Sequence, residues 1–290
     1  MPYPSFAEIT RHLPSDLADI CPIGVRDFRI NPNKAEWLAL TETLLKRGGI
    51  QGRLLRLWNS GIYQLREKIT SFPEAAIYLE LETIRDSIII IEIHDHFSRS
   101  TVPRPFFDSF WRHSLTCAKY ARAIAKKQGF PNPDKFLLAG LLHDIGRLVF
   151  AQIYPQISKT LVEYATAQRL LLHQAEKKLL GYDHQWIGES LLQSWQVEKG
   201  VIAAARFHHD PTPLRCVHHL AEAATIHVAD HLANAFCPQN QALIPPLFLA
   251  ALHQLPKSIS PINDFINTAN SESQNFEDCF LGGSASVIPE

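Results

Sequence analysis

From residue 34 onward, apolar positions recur at steps of three and four, the period of helices packed on one face. Trp37, Leu38, Thr41, Leu44 and Leu45 share such a face, and Gly48-Gly49 stops the run. A second, short helix is expected from about Gln51 to Trp58, carrying Leu54, Leu55, Leu57 and Trp58, with a turn at Asn59-Ser60-Gly61. The stretch from Pro73 to Phe97 contains SIIIIEI, which has strand propensity. Yet Ile77, Leu81, Ile84, Ile88 and Ile91 fall at steps of four, three, four and three, so one helix face is expected instead. Farther on, Asn132-Pro133-Asp134 has the chemistry of a helix start. A helix from about Ser158 should end at Gly181, and Asp183 can cap the next one, which carries Trp186, Ile187, Leu191 and Leu192.

These patterns imply an all-α chain in four stretches. Residues 1–33, with Pro2, Pro4, Pro14, Pro22 and Pro32, read as an irregular lead-in. Residues 34–100 form an N-terminal helical part, and SRSTVPRPFF marks the passage into a helical core at 101–266. Residues 267–290 are polar and rich in small side chains, the composition of a flexible tail. No internal repeat and no long heptad seam is visible.

Composition narrows the function. The 290 residues are 46% hydrophobic and 20% charged, enough to build a core. With 28 Lys+Arg against 29 Asp+Glu, the chain lacks the basic excess of a nucleic-acid binder. One segment, RLLRLWNSGIYQLREK, does interleave Arg53, Arg56, Arg66 and Lys68 with Trp58 and Tyr63, but Glu67 and Glu74 dilute it. The five cysteines (21, 117, 216, 237 and 279) contain no C-x-x-C, so neither a disulfide framework nor a thiolate zinc site is expected. Cys117, four residues after His113, reads as a small buried residue. No charged segment leads into an apolar stretch at the N-terminus, and no apolar run approaches the ~20 residues of a membrane span. A soluble, cytoplasmic chain is expected. Phosphate-loop, dinucleotide, serine-hydrolase and zincin signatures are absent.

Histidine carries the candidate chemistry. The chain has 14, concentrated from residue 94 onward. Among them stand His113, the adjacent pair His143-Asp144, His184, the adjacent pair His208-His209, and then Asp230, each on or beside a separate expected helix. Imidazoles and carboxylates converging from a helical bundle suit one or two divalent ions, with iron, manganese, nickel and zinc as candidates. Neighbouring helical residues point about 100° apart, so an adjacent pair serves one site only at a helix end. Gly146 would permit close approach there.

The blocks around these residues resemble a known family. FWRHSLTCAKYARAIA, AGLLHDIGRLV, LLGYDHQWIGESLLQSW, VIAAARFHHDP and HVADHLA are similar, in order, to the blocks of the HDOD branch of the HD phosphohydrolase superfamily. RLLRLWNSGIYQLREKITSFPEAAIYLELETIRD resembles the helical region that precedes the family's HD core. The resemblance covers roughly residues 35–235. It implies a multi-helix HDOD fold, with a helical N-terminal part packed on an HD-type core, and a signalling or regulatory role. Its partners would be signalling proteins or a phosphorylated nucleotide. By resemblance to the catalytic HD-GYP relatives, His113, His143, Asp144 and Asp230 would hold one metal. Asp144 would bridge to a second held by His184, His208 and His209. The Gly-Tyr-Pro signature of those relatives is missing, since DPTPLRC follows His208-His209. Should the site act as a metal-dependent phosphohydrolase or phosphodiesterase, Asp144 and Arg147 would be its catalytic residues. Arg147 stands where HD enzymes often have lysine, and it would stabilise developing phosphoryl charge.

Overall fold

A computed structural model of the chain describes residues 49–212 and 217–236, with Glu8, 246–247, 251–252, 255, 257–273 and 275–281. The expected lead-in, apart from Glu8, and the helix centred on Trp37 lie outside the described residues. Helices follow one another and no strand occurs among the described residues.

The N-terminal part begins with α1 (Ile50–Trp58), whose Ile50, Leu54, Leu57 and Trp58 form one buried face. Gly49 precedes it in the left-handed region at φ 86°. The expected continuous helix over Pro73–Phe97 is two helices, α2 (Phe72–Tyr78) and α3 (Leu81–Ser98). Leu79 is extended between them, so Ile77 falls off the shared face and is 78% exposed, while Ile84, Ile88 and Ile91 are buried. Ile89, Ile90 and Ile93 are buried too. Five isoleucines within Ile88–Ile93 bury most of the circumference of α3 there, which is why the run also carries strand propensity. Trp58 Nε1 donates to Ser87 Oγ at 3.1 Å, and Tyr63 Oη lies 2.9 Å from the same hydroxyl, tying α1 to α3. Trp58 and Tyr63 are therefore core rings, unavailable for stacking on a nucleobase.

The core is built on α4 (Arg104–Gln128), which ends at Gly129 in the left-handed region at φ 81°. It packs against α5 (Lys135–Leu142) and α11 (Val217–Phe236). Asn132 Oδ1 accepts from the backbone N–H of Asp134 and Lys135, the capping role expected of it, and a turn at Pro133-Asp134 leads into α5. After a break at His143-Asp144 come α6 (Ile145–Ile153) and α7 (Pro155–Gln168). The helix expected to run from Ser158 to Gly181 is interrupted at Arg169, which turns at φ 52°. α8 (Leu172–Leu180) then ends at Gly181 as expected. α9 (His184–Ser194) and α10 (Lys199–Phe207) complete the layer around the break. Asp183 precedes α9, but its carboxylate takes Gln185 Nε2 and Lys177 Nζ rather than a helix N–H. The capping acceptor is Glu176, whose Oε2 takes the His184 N–H at 3.0 Å.

The one stretch apolar and long enough to cross a membrane among the described residues, Lys135–Ile153, is 83% buried inside the protein and carries the His143-Asp144 break. Its hydropathy is that of a core element. Of the expected loose tail, residues 274 and 282–290 lie outside the described residues, and the rest differs from the expectation. α12 (Ile262–Ser271) and α13 (Asp278–Leu281) pack onto the core, burying Ala269, Phe276 and Phe280. Phe280 stacks on Trp111 of α4 with ring centroids 6.0 Å apart, and Lys119 pairs with Glu277 at 3.0 Å. Three aromatic and ionic anchors outweigh a polar composition.

Two expectations follow. A Cβ on Gly146 would lie 2.0 Å from the His184 carbonyl oxygen, so Gly146→Ala must separate α6 from α9. Overpacking of that kind against backbone should destabilise the protein by about 3 kcal/mol, measured by denaturant unfolding. Asp86, buried on α3, has its pKa raised from 3.8 to about 6 by burial, which its bonds to Arg85 only partly offset. The folded state thus holds that proton more tightly, and stability is lost as pH rises between about 4 and 6. Asp86→Asn should therefore gain on the wild type by on the order of 3 kcal/mol between pH 4 and 7. A gap that stays constant across that range would refute it.

Candidate metal centre

The break between α5 and α6 sets up the site. His143 closes α5 and Asp144 opens α6, so adjacent side chains diverge without a helix between them. Glycine at 146 lets the first turn of α9 pack directly on α6, which brings His184 beneath Asp144. His184 Nε2 lies 3.0 Å from Asp144 Oδ1. His208 and His209 follow the end of α10, where His208 Nε2 is 3.3 Å from the same oxygen. His209 Nε2 is 3.1 Å from His184 Nε2. On the other side, His113 of α4 places Nε2 3.0 Å from Asp230 Oδ1 of α11. His143 Nε2 is 3.7 Å from Asp230 Oδ1 and 3.8 Å from Asp144 Oδ2.

All seven expected ligands thus meet in one place, in two groups that share Asp144: Asp144, His184, His208 and His209, and then His113, His143 and Asp144, with Asp230 beside the latter. Asp144 Oδ1 faces the first group and Oδ2 approaches His143. Arg147 of α6 places Nη1 2.6 Å from Asp144 Oδ2, and its guanidinium sits 5.9 Å from the Phe106 ring. Cys117 is fully buried, and its thiol lies against His143.

Outer hydrogen bonds decide which nitrogen of each ring faces inward. His143 Nδ1 donates to the Gly140 carbonyl at 2.7 Å, and His208 Nδ1 to the Ala205 carbonyl at 3.0 Å. His184 Nδ1 donates to Glu176 Oε2 at 2.7 Å. A carbonyl or carboxylate can only accept, so each Nδ1 carries a proton and each Nε2 faces the centre, where it can ligate a cation on giving up any proton it holds. His143 Nε2, His208 Nε2 and Asp144 Oδ1 are buried without a hydrogen-bond partner. Orphaned acceptors converging in a buried site are the arrangement a cation satisfies, and these imidazole and carboxylate donors fit a first-row metal.

The charges agree. Burial alone would raise the pKa of Asp144, but Arg147, His143 and His184 hold it well below the usual carboxylate range. Burial opposes protonation of His184, yet Glu176 and Asp144 lift it to about 10. His209 is held well below its ordinary value by burial and by the neighbouring His208, His184 and His173. The carboxylates therefore take their balancing charge from some rings and not others, and a cation would compete with those protons.

Three contributors went unread in the sequence. Glu176 holds His184, and its signal is a carboxylate eight residues upstream across the Gly181 turn. His227 is buried and donates Nδ1–H to the His208 carbonyl at 2.7 Å. His173 stacks on His209.

Residues 29–211 match the HDOD domain family, well over half of the chain. The chain belongs to the HDOD family. Among solved structures, this HDOD chain is similar to an HDOD domain protein of unknown function from Geobacter sulfurreducens. They share 24% identity at a TM-score of 0.63, over 98% of this chain and 85% of that one. A candidate metal-dependent phosphohydrolase from Shewanella amazonensis shares 18% identity at a TM-score of 0.61, covering 92% and 98%. At such identities the likeness speaks for the fold. An uncharacterised protein of Treponema pallidum is 25% identical over 162 residues, 54% of this chain but 30% of that protein's length.

Because the Glu176 carboxylate orients His184, Glu176→Gln should weaken zinc or manganese binding by roughly 10- to 100-fold while leaving the fold intact. Calorimetric titration beside a circular-dichroism melt checks this, and unchanged affinity would remove Glu176 from the site.

Proposed function

We propose that this HDOD protein is a cytoplasmic signalling or regulatory module whose His/Asp centre binds one or two divalent ions. It acts through contacts with signalling proteins or a phosphorylated nucleotide. The observation that carries the reading is the inward convergence of the Nε2 atoms of His143, His184 and His208 on Asp144, each ring fixed by its own outer partner. The ion is iron, manganese, nickel or zinc on donor chemistry.

The second reading, a metal-dependent phosphohydrolase or phosphodiesterase, is favoured by Arg147 beside the centre. When bound, paired cations supply Lewis-acid activation of water and a clamp on phosphoryl oxygens. On this reading Asp144 holds the two groups together through its two oxygens, and the partly exposed edge of Arg147 meets the charge that develops on phosphorus.

The test is metal content by mass spectrometry on untagged protein, wild type beside Asp144→Ala. Close to two ions per chain in the wild type, and loss in the variant, is the expected result. Little or no metal after anaerobic reconstitution with iron, manganese or zinc would sink the metal reading and send the search to protein partners alone. For the second reading, turnover of a phosphodiester that survives His143→Ala and Asp144→Ala unchanged would rule this centre out as its source.

A further inference from the structure

The ligands are not held alike. His143, His184 and His208 each have Nδ1 anchored by an acceptor, and His113 is buried on α4 against Asp230. His209 is held otherwise. It lies in the segment beyond α10 and is half-buried, and its Nδ1, like that of the helix-embedded His113, is shielded from solvent with no hydrogen-bond partner. Its ring instead meets two others. The His208 ring is tilted at 51° with centroids 4.0 Å apart, and the His173 ring stacks on that of His209 at 3.9 Å and 27°. His173 comes from α8, one turn before Glu176, so the same helix carries the partner of His184 and the partner of His209. Residues three apart share a helix face, which is what both tasks require. Lys177 of α8 also pairs with Asp183 at 2.9 Å, fastening this helix to the start of α9.

We infer that His173 is a positioning residue for the metal centre, setting the plane of the His209 ring by stacking where no outer hydrogen bond does so. α8 is then the support of the outer group, Asp144 with His184, His208 and His209, and not of the inner one around His113 and His143. The inference rests on the metal reading proposed above, and it assigns a role to a histidine that needs no bond to the ion. It also specifies what the role consumes: an aromatic face, not a nitrogen.

Cobalt(II) titration of the full chain tests it, reading affinity by calorimetry and ligand geometry by the visible spectrum. Loss of one aromatic stack should weaken one class of bound cobalt about 3- to 10-fold in His173→Ala and alter its spectrum. His173→Phe, which keeps a flat ring but no nitrogen, should return both readouts to wild type. That rescue separates stacking from loss of the fold or of a nitrogen donor. Wild-type cobalt binding with an unchanged affinity and spectrum in His173→Ala would overturn the positioning role alone, as would a His173→Phe variant no better than His173→Ala. No cobalt uptake by the wild type would overturn the metal reading and the positioning role with it.

Discussion

Two buried carboxylates govern this protein's centre. Asp144 and Asp230 are 4% and 3% exposed, in a helical core where solvent cannot balance their charge. An uncompensated charge at such depth costs several kcal/mol, so the neighbours must supply the opposite sign. Arg147 and the surrounding imidazoles do so, and that requirement accounts for the local architecture. An unbroken helix through Leu142–Ile145 would aim His143 and Asp144 about 100° apart and separate the two groups. The break turns both inward, and the missing side chain at Gly146 lets α9 close beneath them.

The two groups around Asp144 are supported by different means. Of the inner residues, His113 and Asp230 come from long elements, α4 and α11, and His143 from the end of α5, all buried within a helix core that would have to open before they could move. The outer residues come from helix ends and depend on a relay of small contacts: Glu176 to His184, Ala205 to His208, and His227 to the backbone of His208. Short elements joined by single hydrogen bonds open at lower free energy than long packed helices. Exchange at this centre should therefore begin on the outer side, where His209 also reaches solvent.

What could be read in the chain follows from where each signal is stored. The seven candidate residues were legible as a set, from their order along the chain and the resemblance it carries, and the fold brings them together. The face of α1 was legible because its spacing is local. The break at Leu79 was not, because no glycine or proline marks it and the steps of three and four run across it undisturbed. Arg169 likewise turns through the left-handed region without the glycine that usually signals it. The packed segment after Ile266 hid behind its Asn and Ser content, since Phe280 on Trp111 and Phe276 against Phe280 decide its fate and neither forms a pattern. Glu176, His173 and His227 were illegible for a deeper reason. Each acts on a ligand from another part of the chain, and that relation exists only after folding.

Arg147 bears on whether such a centre binds or turns over. Its guanidinium stands 2.6 Å from Asp144 Oδ2, and its side chain is 28% exposed. Within the protein its charge is already balanced, so its first task is to keep a buried carboxylate ionised. A group engaged in that way offers less to a passing phosphate than an uncommitted lysine on a flexible stem would. Catalysis needs a cation that gains a partner in the transition state, whereas a stable centre needs one that already has it. The geometry around Asp144 satisfies the second condition directly. Arg147 is thus first the charge partner of Asp144, and on the hydrolytic reading proposed above only its exposed edge would be left to meet a phosphoryl oxygen.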